Sequence, residues 1–214
     1  MKPEKIYLYR ITHIRNIPHI LRYGITHARS IHANPQYHSI GDPCVIDKRK
    51  DYEVPVTNGR KHILKKIILG EFIPFYFGVR MPMLYVIQHG LNCVSRPVSP
   101  SEIVYLGLSL KHILKNGREF YFSDGHALDK FTTFYNAEKV NELPSIIDWK
   151  AVNSKWWADD VELKRKKQAE FLLKGDVPPA WISGFACFDA TVKEKLLSFG
   201  IKDEKIKIFP GGYF

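Results

Sequence analysis

The chain has 214 residues, enough for one domain with a hydrophobic core or at most two small ones. Hydrophobic residues make up 45% of it and aromatic residues 13%, which excludes an intrinsically disordered protein. Lys and Arg total 32 against 22 Asp and Glu; the net charge of +10 favours nucleic acid first and an acidic membrane surface second, although a basic surface also serves solubility alone.

The three cysteines, Cys44, Cys93 and Cys187, are far apart and include no CxxC pair. The sequence therefore predicts neither a structural zinc site nor a disulfide framework. The first residues, MKPEKIYLYRIT, lack the apolar region of a signal peptide, and no apolar run approaches membrane-spanning length. We expect a protein of the reducing cytoplasm that does not associate with membranes.

The N-terminal segment predicts a strand followed by a helix. Residues 5–11, KIYLYRI, alternate as a strand does. Residues 12–24 place isoleucines on one face of a short helix, which Thr12 or Asn16 can cap and Gly24 can end.

Residues 33–66 are polar, basic and rich in turn signals (Asn-Pro, Gly-Asp-Pro, Asn-Gly), which predicts a long functional loop. Strands and short helices then mix without a βαβ rhythm. Strands are predicted at 72–79, 101–110, 119–124, 169–174, 184–189 and 205–209, and helices at 81–90 and 190–200. The mixture predicts one α+β domain over residues 1–214.

Several catalytic motifs are missing from the sequence. It has no GxGxxG, Walker loop, HExxH or GxSxG. Its acids are scattered, which disfavours a metal-dependent nuclease with clustered carboxylates.

One acid stands out in KRKKQAEFLL, residues 164–173. If a strand runs from Gln168, then Gln168 and Glu170 point to the same side and the apolar residues between and after them to the other. Such a pair offers a carboxylate and an amide to a cleft. Taken alone, the pattern favours a sheet-edge Glu170 neutralised by Lys166 or Lys167, because three-residue patterns are common by chance.

Four segments together give a more specific signal: IYLYRITHIRNIPHILRYGI, FIPFYFGVRMPMLY, FYFSDGHA and KKQAEFLL. In this order and spacing they resemble the DarT family of DNA ADP-ribosyltransferase toxins, from DarT–DarG toxin–antitoxin pairs, and are most similar to its thymidine-modifying branch. The resemblance implies an ADP-ribosyltransferase fold, with a split mixed β-sheet core, short peripheral helices and NAD in the cleft. It also implies a single-stranded DNA substrate and a macrodomain antitoxin partner. We further expect a monomer.

The resemblance also gives roles to individual residues. Glu170 matches the catalytic glutamate, and Arg49 the catalytic arginine, with Lys48 and Lys50 as alternatives in the same loop. The family commonly has His at the position of Arg10. Further catalytic positions are His126, near the base, and Gln168, which would orient the acceptor. The NAD-contacting positions are Arg10, Ile11, Thr12, His13, Asn16, His19, His27, Arg49 and Tyr76. The expected DNA contacts are Arg80, Lys164, Arg165, Lys166 and Lys167.

Residues 33–54 would close over the dinucleotide, and 126–170 would face the DNA. Singly, each histidine among these residues is more often a surface or satisfied side chain, Tyr76 is more often core, and the basic runs are more often solvated faces. Only the joint pattern favours the functional interpretation.

The residue types fit the chemistry that the resemblance implies. Cleavage of the N-glycosidic bond of NAD passes through an oxocarbenium-like ribose, which Glu170 would stabilise. An arginine is almost never a base, so we expect Arg49 first to clamp the pyrophosphate. The leaving nicotinamide already carries positive charge, so no metal is expected. The alternatives are a transferase of the same fold acting on RNA or protein, and a non-catalytic basic module that binds nucleic acid.

Overall fold

A computed structural model describes residues 2–214. Its strands are Tyr7–His13 (β1), Glu53–Val56 (β2), Lys65–Ile68 (β3), Phe72–Tyr76 (β4), Ile103–Ser109 (β5), Phe120–Ser123 (β6), Phe134–Tyr135 (β7), Glu170–Lys174 (β8), Ile182–Cys187 (β9) and Ile206–Ile208 (β10). Its helices are Ile17–Tyr23 (α1), Pro43–Lys50 (α2), Pro82–His89 (α3), Leu110–Lys115 (α4), Leu143–Ile146 (α5), Trp149–Asn153 (α6), Val161–Lys167 (α7) and Ala190–Ser198 (α8). No helix within residues 2–214 is long and apolar enough to cross a membrane.

The strands form a ten-stranded sheet in the order β10-β9-β5-β1-β4-β8-β6-β7-β2-β3. β9 and β10 pair in parallel, as do β2 and β7, and the other neighbours are antiparallel. The predicted α+β class with a mixed sheet is therefore confirmed.

The pairing between β1 and β4 is short. The described residues of these strands form a single register pair, Tyr9 with Tyr76, whereas β1 pairs with β5 along its whole length. Arg10 adds one link across the gap, because its Nη1 donates to the carbonyl of Pro74 at 2.8 Å. The gap divides the sheet into two halves and leaves room for a cleft between β1 and β4.

The first helix differs from its prediction at its start. Residues 14–16 form a 3-10 turn, and α1 begins only at Ile17. Asn16 does not cap α1. Its amide instead binds the Thr12 hydroxyl and the backbone of His38, so the predicted capping role was wrong. Gly24 ends the helix as predicted, with φ of 84°.

The predicted long loop at 33–66 is partly wrong, because it contains α2, β2 and the start of β3. Asp42 caps α2, since its Oδ1 accepts hydrogen bonds from the backbone N–H groups of Cys44 and Val45. No residue of α2 is buried. The helix therefore has no apolar stripe from which the sequence pattern could have predicted it.

The prediction that the chain has no disulfide was also wrong. Cys44 and Cys93 form one, with their Cα atoms 5.9 Å apart, and Cys187 is a buried free thiol. The two cysteines are 49 residues apart in sequence, and only the fold brings them together.

The basic run before Glu170 belongs to α7, which Asp160 caps by accepting from the N–H of Leu163. The next strand, β8, begins at Glu170, one residue later than predicted. Phe171 and Leu173 pack in the main hydrophobic core, and Leu172 packs in a second core on the opposite face of the sheet. β8 is thus fixed on both faces beside the gap.

Candidate active site

A cavity of about 610 Å³ opens at the gap between β1 and β4, within the size range of small-molecule sites, about 300–1,000 Å³. α2 lines one side and α3 another, through Met83 and Ile87. Most of the predicted NAD-binding residues line it, including the predicted catalytic Arg49, together with the predicted catalytic His126: Arg10, Ile11, Thr12, Asn16, His19, His27, Arg49, Tyr76 and His126.

His13 was predicted to contact NAD, but it is not part of the cavity wall. Its buried ring packs against His38, with ring centroids 4.1 Å apart, and its Nε2 lies 3.4 Å from Oε1 of Glu102. Burial lowers the pKa of His13 more than the contact with Glu102 raises it. His13 therefore holds the end of β1 against His38 and Glu102.

Glu170 is 1% exposed and is held by hydrogen bonds to one of its two carboxylate oxygens. Its Oε1 accepts from Nη1 of Arg49 at 3.0 Å and from the backbone N–H of Ala127 at 3.1 Å. Its Oε2 lies 2.8 Å from Nη2 of Arg49, but neither atom has an aligned hydrogen bond within the described chain. Oε2 is therefore the oxygen with capacity for a ligand.

The backbone of Glu170 is fixed by a turn that sequence reasoning did not single out. The Glu170 N–H donates to the hydroxyl of Ser123 at 3.1 Å, and that hydroxyl donates to the carbonyl of Gly125 at 2.7 Å. A side chain at Gly125 would collide with the guanidinium of Arg165. The available signal was the Ser-Asp-Gly sequence at the end of the strand predicted at 119–124.

Arg49 is the basic residue of α2 that reaches Glu170. Lys48 lies over the ring of Tyr52, 5.7 Å from its centroid, and Lys50 is exposed near Asp47. Burial disfavours the charge of Arg49, but the charge and hydrogen bond of Glu170 outweigh it, so the pKa of Arg49 is raised above its ordinary value. Arg49 stays protonated and cannot act as a base.

Two further titratable groups face this pair. Tyr76 lies opposite Glu170 in the β4–β8 register, and burial, followed by the charge of Glu170, raises the pKa of its phenol. Burial lowers the pKa of His126, and the charge of Glu170 offsets this only in part. Both side chains are therefore neutral at neutral pH.

The prediction that Gln168 and Glu170 share one face of a strand was wrong. It is the residue that ends α7, and its Nε2 donates to the carbonyl of Lys164 at 3.2 Å. The boundary between helix and strand falls between Gln168 and Glu170, so the alternation that paired them does not exist.

Two of the predicted DNA contacts are buried and already have partners. Arg165 is paired with Glu162 and with Asp124, at 2.7 Å and 3.1 Å. Lys167 is 1% exposed, and its Nζ donates to the carbonyls of Val152 and Ser154. Burial, with a contribution from the nearby Arg80, lowers the pKa of Lys167 to about 8. The structure does not bring these two side chains to the surface.

Lys164 and Lys166 do reach solvent. Lys166 lies 3.5 Å from the carboxylate of Asp148 and 3.8 Å from that of Glu162. The Nζ of Lys164 lies 5.7 Å from the centroid of the Trp157 ring.

Arg80 lies just before the start of α3, among several aromatic rings. It has a left-handed backbone, with φ of 53°, and its N–H donates to the Tyr105 hydroxyl. Its guanidinium lies 4.3 Å from the centroid of the Phe214 ring, and Tyr85 contacts both Phe214 and Trp157 edge-on. Within the described chain, Nε of Arg80 and Nε1 of Trp157 are buried donors without an acceptor.

A family model described as "ssDNA thymidine ADP-ribosyltransferase, DarT" matches residues 9–214. The chain belongs to the DarT family. A DNA ADP-ribosyl transferase of Thermus sp. (strain 2.9) is 34% identical over 197 residues, which are 91% of this chain and 87% of that relative. A DNA ADP-ribosyl transferase-DNA ADP-ribosyl glycohydrolase fusion protein of Thermosipho africanus is 28% identical over 216 residues, which are 100% of this chain and 50% of the fusion.

Solved structures of the Thermus sp. 2.9 DarT give the same result. Its complex with ADP-ribosylated ssDNA matches with a TM-score of 0.83 at 30% identity, over 100% of both chains. Its complex with NAD+ matches with a TM-score of 0.78 at 29% identity, again over 100% of both chains. This DarT chain is an NAD-dependent DNA ADP-ribosyltransferase.

Proposed function

We propose that the chain transfers ADP-ribose from NAD to thymine in single-stranded DNA, and that Glu170 is its catalytic carboxylate. The supporting observation is the geometry of Glu170 next to the cavity: Oε1 is saturated by Arg49 and Ala127, whereas Oε2 has no aligned donor. In the proposed complex, Oε2 accepts a hydrogen bond from the hydroxyl of the nicotinamide ribose.

The proposed reaction exchanges one glycosidic bond for another. The bond from ribose C1″ to the nicotinamide nitrogen breaks, and nicotinamide leaves as a neutral molecule. Positive charge develops on the ribose in the transition state, and the fixed carboxylate of Glu170 stabilises it. N3 of thymine then bonds to C1″ and releases its proton. Glu170 is the proposed acceptor of this proton, because Arg49 remains charged.

Arg49 has two parts in this proposal. Its hydrogen bond at 3.0 Å to Oε1 orients the carboxylate of Glu170, and its place in the cavity wall makes it available to the pyrophosphate of NAD. Arg10, on the opposite side of the gap, adds a second positive charge to the same cavity.

We place the path of the DNA strand along Arg80, Lys164 and Trp157. These residues combine positive charge with an aromatic surface, as proteins that bind single strands do. Lys166 adds charge beside them, whereas Arg165 and Lys167 are buried and bind other parts of the chain.

We further propose that residues 1–214 form one ADP-ribosyltransferase domain that acts as a monomer, without a metal, in the cytoplasm where DNA and NAD are present. The fusion in Thermosipho africanus joins a transferase to a glycohydrolase, and this supports a macrodomain antitoxin as the partner of this chain. Such a partner would remove the ADP-ribose from DNA.

Mass spectrometry of matched oligonucleotides tests the proposal. A single strand containing thymine should gain one ADP-ribose when incubated with the protein and NAD. The same strand with N3-methylthymine should gain none, because N3 is blocked, and neither should a strand without thymine. Transfer to either control would contradict the assignment of the base. Transfer to RNA or protein instead of DNA would favour the alternative acceptors.

A further inference from the structure

The attachment of α2 to the rest of the molecule is unusual, because the helix buries none of its residues. At its C-terminal end Arg49 is paired with Glu170, and the backbone of Lys50 lies directly against Gly70. At its N-terminal end the disulfide joins Cys44 to Cys93. α2 is therefore held over the cavity by its two ends and not by a hydrophobic face.

Cys93 lies in the segment that follows α3, and this segment is firmly placed. The N–H of Val94 donates to the carbonyl of Leu91, and the N–H of Val98 donates to the carbonyl of Ile87. Ile87 also lines the cavity. The disulfide thus connects α2 to the segment that follows α3, and both helices contribute residues to the cavity wall.

We propose that Cys44 and Cys93 are a reversible redox pair that sets the affinity of the cavity for NAD. The inference rests on the proposal that this cavity binds NAD. Both cysteines are exposed, so a small dithiol or a thioredoxin-type protein can reach the sulfur atoms. In the exchange a dithiol gives two electrons, the Cys44–Cys93 bond breaks into two thiols, and the dithiol becomes a disulfide.

The oxidised form binds NAD more tightly. With the disulfide intact, α2 is already placed over the cavity, and NAD binding orders little additional chain. After reduction the Cys44 end of α2 loses its covalent link and keeps only the packing of the chain before it, where Ile40 and Asp42 are buried. Binding must then order more of the Cys44 end, and the affinity falls. Glu170 and its contacts with Ser123 and Ala127 do not involve the disulfide, so turnover at saturating NAD changes less than the affinity does.

The test compares the Kd of NAD for oxidised and reduced protein, with thiols counted in parallel. The oxidised chain should show one reactive thiol after denaturation, from Cys187, and the reduced chain all three. Reduction should raise the Kd several-fold. The double variant Cys44→Ser/Cys93→Ser should have the higher Kd under both conditions, and the control Cys187→Ala should keep the response.

Three results would overturn the redox pair. The first is an equal Kd in both states of the wild-type chain. The second is three reactive thiols after treatment with an oxidant. The third is one tightly bound zinc ion in the reduced protein, held by Asp42 and the two thiols, whose ligand atoms lie within 4.8 Å of one another. A protein that binds no NAD in either state would instead refute the proposed function.

Discussion

His126 gives the cavity wall a pH dependence whose direction follows from its environment. Burial lowers its pKa, so the unfolded chain takes up a proton at a higher pH than the folded chain does. The stability that the neutral ring contributes is present above the ordinary pKa of 6.5 and is lost as the pH falls through that value towards the lowered one. Below the lowered pKa the loss is complete.

We therefore expect the melting temperature of the wild-type protein to fall between about pH 7 and pH 5, around the ordinary pKa of histidine. His126→Gln should reduce this slope. It should not abolish the slope, because burial also lowers the pKa of His13. The exposed His62 supplies the control, and His62→Gln should keep the wild-type slope. An unchanged slope in His126→Gln would show that the ring is not desolvated.

At the scale of single residues, the sequence predicted the central pair but not its surroundings. Glu170 and Arg49 were identified by resemblance, and the structure brings them together. Ser123 acts through a hydroxyl that only the Ser-Asp-Gly sequence could have indicated, and Ala127 acts through a backbone N–H, which leaves no pattern in a sequence. Gln168 was misplaced because its side-chain direction depends on where a helix ends.

α2 depends on the absence of a side chain at Gly70. A Cβ at Gly70 would collide with the backbone of Lys50. Gly70→Ala should therefore push the C-terminal end of α2 outwards and move Arg49 from Glu170. We expect weaker NAD binding and slower transfer, with a small change in melting temperature because α2 buries no residue.

The matched control is Gly211→Ala, where an added Cβ would have only an ordinary contact with Phe209 at 3.8 Å. Titration calorimetry with NAD on both variants provides the measurement. If Gly70→Ala bound NAD as wild type does, the position of α2 would not matter for the cavity.

The neighbouring lysines of α7 should behave differently from one another. Lys164→Ala removes an exposed charge beside Trp157, and we expect weaker DNA binding with an unchanged melting temperature. Lys167→Ala leaves the carbonyls of Val152 and Ser154 without their donor, and we expect a lower melting temperature.

Fluorescence anisotropy of a labelled single strand, measured with thermal melts, separates these effects. The affinity of wild-type protein should also fall with salt, and Lys164→Ala should reduce that salt dependence. If Lys167→Ala were as stable as wild type but bound DNA more weakly, Lys167 would be a DNA contact and not a structural residue.

At the scale of elements, periodic segments were predictable and contact-dependent ones were not. The strands from β4 onwards mostly fall within one or two residues of their predicted ranges, because alternating or continuous apolar runs define them. β7 has only two residues and α2 has no apolar face, so neither gives a period. A run of basic residues such as that of α7 occurs both in helices and in loops, so its sequence did not predict the helix.

For the whole molecule, the weak junction between β1 and β4 decides where chemistry takes place. A continuous ladder would close the sheet, whereas the single pair Tyr9–Tyr76 leaves a cavity with Glu170 beside it. The α+β class followed from the sequence, but the order of the strands did not, because register and neighbours depend on contacts distant along the chain. The net charge of +10 fits a DNA substrate without locating it.

The most direct test of the account is the rate of ADP-ribose transfer by Glu170→Gln on a thymine-containing single strand at saturating NAD. The substitution keeps the shape of the side chain and removes the charge that would stabilise the ribose cation. The control is Glu71→Gln, at a half-buried acid that is paired with Lys174. With both variants shown to be folded, we expect Glu170→Gln to be slower by on the order of 10³-fold and the control to match wild type. A rate within a few-fold of wild type for Glu170→Gln would contradict its assignment as the catalytic carboxylate.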